Sequence, residues 1–104
     1  MKFLFSVASI LGKQIRTTET YWHDIITYKH PQLDGKLRDV ELTLIDPDVI
    51  RKSQSDKDIY LYYKAVSGRI LCVVVRHLNG DGFLITTYFT DKVKEGKKIW
   101  ERKE

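Results

Sequence analysis

Three β-rich runs in the second half of the chain decide the fold: IYLYYKA at 59–65, ILCVVVRH at 70–77 and FLITTYFT at 83–90. Each run is rich in β-branched and aromatic residues, which pack well on a pleated sheet. Ser67-Gly68 separates the first two runs, and NGDG at 79–82 separates the last two. Both are hairpin turn signals. We therefore expect an antiparallel meander.

The first half of the chain predicts a strand and a helix. Alternation in residues 3–11 favours an edge strand that leads through Gly12 into 14–17, and the stretch is too short and too poor in cleavage-site features for a signal peptide. A run with helical spacing follows the threonines near position 18, which suit a helix cap. The helix must end before Pro31, which disfavours helical geometry at His30.

A second helix is predicted from 36 to 45, and a short strand from 49 to 53 follows the turn at Asp46-Pro47-Asp48. Strand, helix, helix and then strands is the order of an α+β fold with helices on one face of the sheet. We expect an N-terminal strand and two helices packed on a roughly four-stranded antiparallel sheet.

Composition indicates a single globular domain over residues 1–104. Hydrophobic residues make up 42% of the chain and charged residues 31%, which excludes a disordered chain. One cysteine excludes an internal disulfide framework. No apolar run approaches the roughly 20 residues of a membrane span, so we expect a cytoplasmic protein without a membrane partner.

The net charge of +4 is unevenly distributed. Residues 92–104 form a basic C-terminal segment with six basic and three acidic side chains. A basic segment favours a polyanionic partner. The alternative is a solvated tail with no partner.

Alternation across the predicted hairpins sorts side chains onto two faces. One face is apolar and should take the helices: Leu61, Tyr63, Cys72, Val74, Phe83, Ile85 and Phe89. The other face is more polar: Tyr62, Lys64, Val73, Val75, His77, Thr86, Tyr88 and Thr90. The sorting depends on turns of two or four residues.

Several chemistries are excluded by the sequence. There is no glycine-rich phosphate loop, no metal-ligand spacing of histidines or cysteines, and therefore no expected cofactor or metal. Cys72 lies inside an apolar strand, which predicts an inert core thiol. His23 and His77 are predicted to lie at the surface.

A histidine at a helix end, an Arg-x-Ser on a strand and a polar sheet face remain. His30 could remove the proton of a ribose 2′-hydroxyl, and Arg51 could stabilise charge that develops on the phosphate. That combination suits metal-independent phosphodiester chemistry. Spacing alone does not separate this role from the alternatives, in which His30 terminates a helix and Arg51 is surface charge.

Short motifs in a fixed order resemble a family of small bacterial and phage proteins. The family belongs to the barnase–EndoU–colicin–RelE superfamily of ribonuclease-like folds. The motifs are Trp22, Lys29-His30-Pro31, Thr43-Leu44, DPDVIRKS at 46–53, YLYYK at 60–64, GFLITTYFTD at 82–91 and GKKIW at 96–100. The likeness covers about residues 12–100. It implies a metal-independent RNA endonuclease, toxin-like or phage-related, that leaves 2′,3′-cyclic phosphate ends.

The resemblance also implies roles for six residues. His30 matches the helix-end histidine and would be the general base or acid. Arg51 and Ser53 would clamp the phosphate, and Lys64 would stabilise charge. Thr86 and Tyr88 would position the phosphate or stack a base. The partners implied are RNA and a protein inhibitor.

Two other function classes stay open at this point. The chain could be a non-catalytic nucleic-acid-binding module that holds single strands by charge and stacking. The basic segment and the rings of Tyr60, Tyr62 and Tyr88 would carry that role. The nucleic-acid-binding residues that we expect are Tyr62, Lys94, Lys97 and Lys98. It could also be a protein-interaction domain that pairs through an exposed strand edge.

Overall fold

A computed structural model describes residues 3–93 and 96–103, which form one mixed sheet of seven strands. Across the sheet the strands stand in the order β1-β2-β6-β5-β4-β3-β7. β2 and β6 run parallel, and the other neighbouring strands are antiparallel. Their bounds are β1 Phe3–Ala8, β2 Gln14–Thr18, β3 Val49–Lys52, β4 Ile59–Val66, β5 Arg69–His77, β6 Asp81–Thr90 and β7 Lys97–Glu101.

Two α-helices lie between β2 and β3. α1 spans Glu19–Asp24 and continues as a π-helical turn over Ile25–Lys29, and α2 spans Leu37–Ile45. The Thr18 hydroxyl caps α1 by accepting a hydrogen bond from the Tyr21 backbone N–H at 3.1 Å. The predicted positions of both helices are confirmed, including the stop at His30.

The main core lies between the helices and one face of the sheet, which we call the helix face. Thirteen buried residues form it: Phe5, Ile15, Trp22, Ile25, Leu33, Val40, Leu44, Ile50, Tyr62, Leu71, Val73, Val75 and Leu84. A smaller buried cluster of Leu61, Tyr63 and Cys72 lies on the opposite face. Burial of apolar side chains on both faces explains why the central strands are apolar nearly throughout.

The predicted four-stranded antiparallel sheet is wrong. Gly12 adopts a φ of +81° and closes a turn, so the expected N-terminal edge strand is the hairpin of β1 and β2. β2 then adds to β6 in parallel. The basic C-terminal segment forms β7, which pairs with the free edge of β3. These pairings join segments far apart in sequence, and local patterns carry no signal for them.

The predicted sorting of the faces is also wrong. The helices cover the side of Tyr62, Val73 and Val75, because these side chains build the main core. On β6 the register shifts between the pairs Val74–Thr86 and Val75–Leu84. This bulge leaves Ile85 without a partner and changes the alternation. Thr86 and Tyr88 therefore lie on the same face as Leu61 and Cys72.

The chain passes over that second face on its way from β6 to β7. Val93 packs against the small cluster of Leu61, Tyr63 and Cys72, and Gly96 lies beside Arg51 on β3. β6 and β7 stand four strand spacings apart, which is about 19 Å. We call this side the crossover face.

Within residues 3–93 and 96–103, no helix is long and apolar enough to cross a membrane.

Candidate nucleic-acid interface

His30 and Tyr88 meet at the edge of β6, two residues along the strand from Thr86. β2 pairs only with residues 81–83, so the rest of this edge is left to α1 and the π-helical turn that follows it. The half-buried His30 ring lies 5.8 Å from the Tyr88 ring, centroid to centroid, with the planes tilted by 37°. The Thr86 Oγ1 atom is buried with no hydrogen-bond partner among the described residues. An imidazole and a phenol thus meet where the helix ends, and the Thr86 hydroxyl lies on the same face of β6 as Tyr88.

Arg51 lies on the same face, three strands away. It shares a register row with Leu61, Val74 and Thr86, which puts its Cα about 14 Å from that of Thr86. Its Nη1 donates a hydrogen bond to the Gly96 carbonyl at 2.9 Å, whereas its buried Nε finds no partner among the described residues. Arg51 is therefore anchored beside β7 rather than beside His30.

Four cations face each other across β3 and β7. Arg51 pairs with Lys98, and Lys52 pairs with Lys97. We call these four residues the basic edge. Lys98 has an ion pair with Glu101 at 2.9 Å, and the Lys52 ammonium lies 5.6 Å from the Tyr60 ring centroid. The sequence analysis missed Lys52, because the pairing that puts it opposite Lys97 is visible only in the folded sheet.

Other cations of the same region are neutralised by carboxylates. Arg102 forms ion pairs with Asp46 and Asp48, and its guanidinium lowers the pKa of Asp46 below the usual range. Arg76 lies within 3.3 Å of Asp56 and 3.7 Å of Asp58. Among the described residues, by contrast, Glu101 is the one carboxylate that forms an ion pair with a cation of the basic edge.

Three of the predicted site residues lie elsewhere. Lys64 is on the helix side, where its Nζ donates to the Asp46 carbonyl at 2.8 Å. The Ser53 hydroxyl accepts hydrogen bonds from the backbone N–H groups of Ser55 and Asp56, so it stabilises its own turn. Tyr62 is fully buried. The prediction that Tyr62 contacts nucleic acid therefore fails, since its ring faces the core.

The remaining predicted lysines divide into two groups. Lys97 and Lys98 are exposed on β7, and their role in binding nucleic acid stays a prediction. Lys94 lies outside the described residues.

Within residues 3–93 and 96–103, no group of three or more His, Cys, Asp or Glu side chains could hold a metal ion.

A buried polar network connects Tyr62 with the N-terminal hairpin. The Tyr62 hydroxyl donates to Ser9 Oγ at 2.9 Å and lies 3.0 Å from His77 Nε2. The His77 ring stacks on Tyr60 at 3.9 Å. Burial lowers the pKa of His77 to about 4 and raises that of Tyr62 to about 12. His77 is thus a neutral structural residue and not the surface residue that we expected.

Comparison with protein-family models, curated proteins and solved structures finds no match to this chain.

Proposed function

We propose that this protein binds single-stranded RNA through the basic edge. The observation that carries the proposal is the pair of like-charged cross-strand contacts, Arg51 with Lys98 and Lys52 with Lys97. Like charges directly opposite each other destabilise a sheet. A phosphate backbone lying along β7 would replace that repulsion with attraction. Lysines on an edge strand also deter aggregation, and the experiment below separates the two roles.

Single-stranded RNA fits the rest of the crossover face. Proteins hold single strands with a cationic track and with aromatic rings on which bases stack. Arg51 and Lys98 supply the cations at one side of the crossover face, Lys52 and Lys97 lie beside them on the helix face, and His30 and Tyr88 supply rings at the other side of the crossover face. A strand that crosses this face would meet both.

Salt-dependent RNA affinity tests the proposal. In the double variant Lys52→Gln/Lys97→Gln, we expect weaker binding of a fluorescein-labelled single-stranded RNA. The slope of log K against log salt should fall by about 1.4, because each lost phosphate contact on a single strand removes about 0.7.

A matched control removes the same charge from a segment outside β3 and β7. Lys36→Gln/Arg38→Gln changes the start of α2 and should leave the slope unchanged. Equal slopes in both double variants would contradict binding at the basic edge.

Metal-independent RNA cleavage is a second candidate, favoured by the contact of His30 with Tyr88 beside the unpartnered Thr86 hydroxyl. In this hypothesis His30 takes the proton of a ribose 2′-hydroxyl, and the 2′-oxygen attacks the adjacent phosphorus. The bond from phosphorus to the 5′-oxygen breaks, the 5′-oxygen leaves with a proton from water, and the other product carries a 2′,3′-cyclic phosphate. The sequence resemblance to the barnase–EndoU–colicin–RelE superfamily supports the same role. A protein inhibitor stays a prediction that depends on this activity.

Incubation of RNA in EDTA tests cleavage. We expect His30→Ala to lower the rate by about 100-fold or more, the usual effect of removing a general base. His23→Ala is the control, since His23 is exposed on the preceding helix. The Lys64→Ala variant should also cleave RNA at an unchanged rate, because Lys64 lies on the helix face of the sheet. Undiminished cleavage by His30→Ala would exclude His30 as the base.

A further inference from the structure

A second feature lies where β2 and β6 separate. Their pairing ends at Arg16 and Phe83, and beyond this point the two strands diverge. Tyr21 bridges part of the gap by donating its hydroxyl to the Ile85 carbonyl at 2.7 Å. A cleft of about 290 Å³ remains between the strands and α1. The sequence analysis predicted no binding or catalytic role for any residue of this cleft.

The walls of the cleft are aromatic and exposed. Phe3 and Phe83 are each 44% exposed and Tyr21 is 37% exposed. Single exposed rings are common on protein surfaces, but three around one cavity mark a binding site. The volume is at the lower end of the range for ligand pockets. One small planar ring therefore fits better than a larger ligand.

Polar side chains also line the cleft. Thr17, which lines the cleft, is 5% exposed, and its Oγ1 atom is buried with no partner among the described residues. The Arg16 guanidinium lies 5.2 Å from the Phe3 ring centroid and binds Asp81 through Nη2 at 2.7 Å. In the described part of the chain, its other nitrogens have no partner.

We infer that this cleft receives one unpaired nucleobase of the bound RNA. Phenylalanine rings stack on the faces of bases, and the Thr17 hydroxyl and Arg16 can bind the carbonyl and ring-nitrogen acceptors of a base edge. Phe83 is five residues from Tyr88 along β6, about 17 Å. A strand of a few nucleotides along β6 therefore reaches both sites. The inference rests on the proposed RNA binding.

Amide NMR of the full chain tests the cleft separately from the basic edge. We expect nucleoside 5′-monophosphates to shift the amides of residues 16–18 and 83–85, and inorganic phosphate to leave them unchanged. Phe83→Ala should weaken the nucleotide affinity about fivefold or more, given the usual contribution of stacking on one ring. Arg16→Gln is a second variant with the same expectation.

Ile99→Ala is the matched control, because Ile99 is an exposed apolar residue on β7, 42% accessible, at the far edge of the sheet. It should leave the nucleotide shifts at 16–18 and 83–85 unchanged. Thermal unfolding of each variant shows that the fold is kept.

Three outcomes would overturn the nucleobase site. The amides of the cleft could show no chemical-shift change with nucleotide, or Phe83→Ala could leave the nucleotide affinity unchanged. The third outcome is a shift change that depends on protein concentration and not on nucleotide concentration. If the basic-edge variant weakens RNA binding while mononucleotides leave the cleft unaffected, the cleft inference fails alone. If mononucleotides bind the cleft while the basic-edge variant binds RNA as tightly as the unaltered protein, only the proposed function fails.

Discussion

At the scale of single residues, His77 shows how the stability of the fold depends on the protonation of one buried ring. It is 6% exposed, its ring stacks on Tyr60, and its Nε2 faces the Tyr62 hydroxyl. Since that hydroxyl donates to Ser9, it is free to accept from a neutral His77 Nε2–H. A protonated ring would carry an uncompensated charge into the core. The positive charge of Lys13 lowers the His77 pKa further, as the second cause after burial.

The free energy of unfolding should therefore fall in mild acid. The folded pKa of about 4 lies below the usual value of 6.5, so protonation favours the unfolded chain. The stabilisation is complete above pH 6.5 and is lost as the pH falls toward 4. The full shift corresponds to about 3 kcal/mol. Urea unfolding at pH 7, 5.5 and 4.5 measures it.

A pair of histidine variants isolates the contribution of His77. The His77→Gln variant should have a lower free energy of unfolding than the unaltered protein at pH 7. Its free energy of unfolding should fall much less between pH 6.5 and 4.5. The variant His23→Gln, changed at an exposed histidine, should show the same fall as the unaltered protein. The carboxylates with lowered pKa values, Asp46, Asp56 and Glu101, ordinarily titrate near 4, so their effect falls below this window. An unchanged decline in His77→Gln would show that another group is responsible.

At the scale of elements, Gly96 fixes the start of β7. It adopts a φ of +81°, and a Cβ at this position would lie 2.4 Å from the Lys52 carbonyl oxygen. Its own carbonyl accepts the Arg51 hydrogen bond. Only glycine permits this close approach of β7 to β3. The basic edge therefore depends on one backbone position as well as on its lysines.

Gly96→Ala should destabilise the protein more than Gly68→Ala. Gly68 has a similar φ of +78°, but a Cβ at Gly68 would meet nothing within 4 Å, so its substitution carries only the conformational penalty of about 1–2 kcal/mol. The clash at Gly96 should add about 1 kcal/mol or more. It should also weaken RNA binding, because β7 would shift. Urea unfolding of the two variants measures the difference, and equal losses would mean that the backbone contact relaxes without cost.

The elements were easier to predict than the site. Hairpin signals at Ser67-Gly68 and the proline after His30 act on neighbouring residues, so both were visible in the sequence. The sequence did not show which face of the sheet each side chain occupies, because one bulge in β6 changes the face on which Thr86 and Tyr88 lie. The bulge thus separates Thr86 and Tyr88 from Lys64, which the predicted sorting had placed on the same face.

At the scale of the whole molecule, the candidate features follow the sheet from one edge to the other. The cleft lies at β2 and β6, the His30–Tyr88 contact lies farther along β6, and the basic edge lies at β3 and β7. This order favours an extended partner over a compact one. The small cluster under Val93 separates the two ends of the face. A bound strand must therefore pass around or over this cluster.

The sequence by itself determined both helices, the β-meander, the hairpin turns and the exposed basic residues of β7, because each depends on local propensity or on turn chemistry. The tertiary structure alone decided the parallel pairing of β2 with β6, the addition of β7 to β3, and the burial of Tyr62 and His77. Strand pairing between distant segments depends on register and on which face the helices cover. A single bulge or one positive-φ glycine changes both, and so it decides which side chains meet.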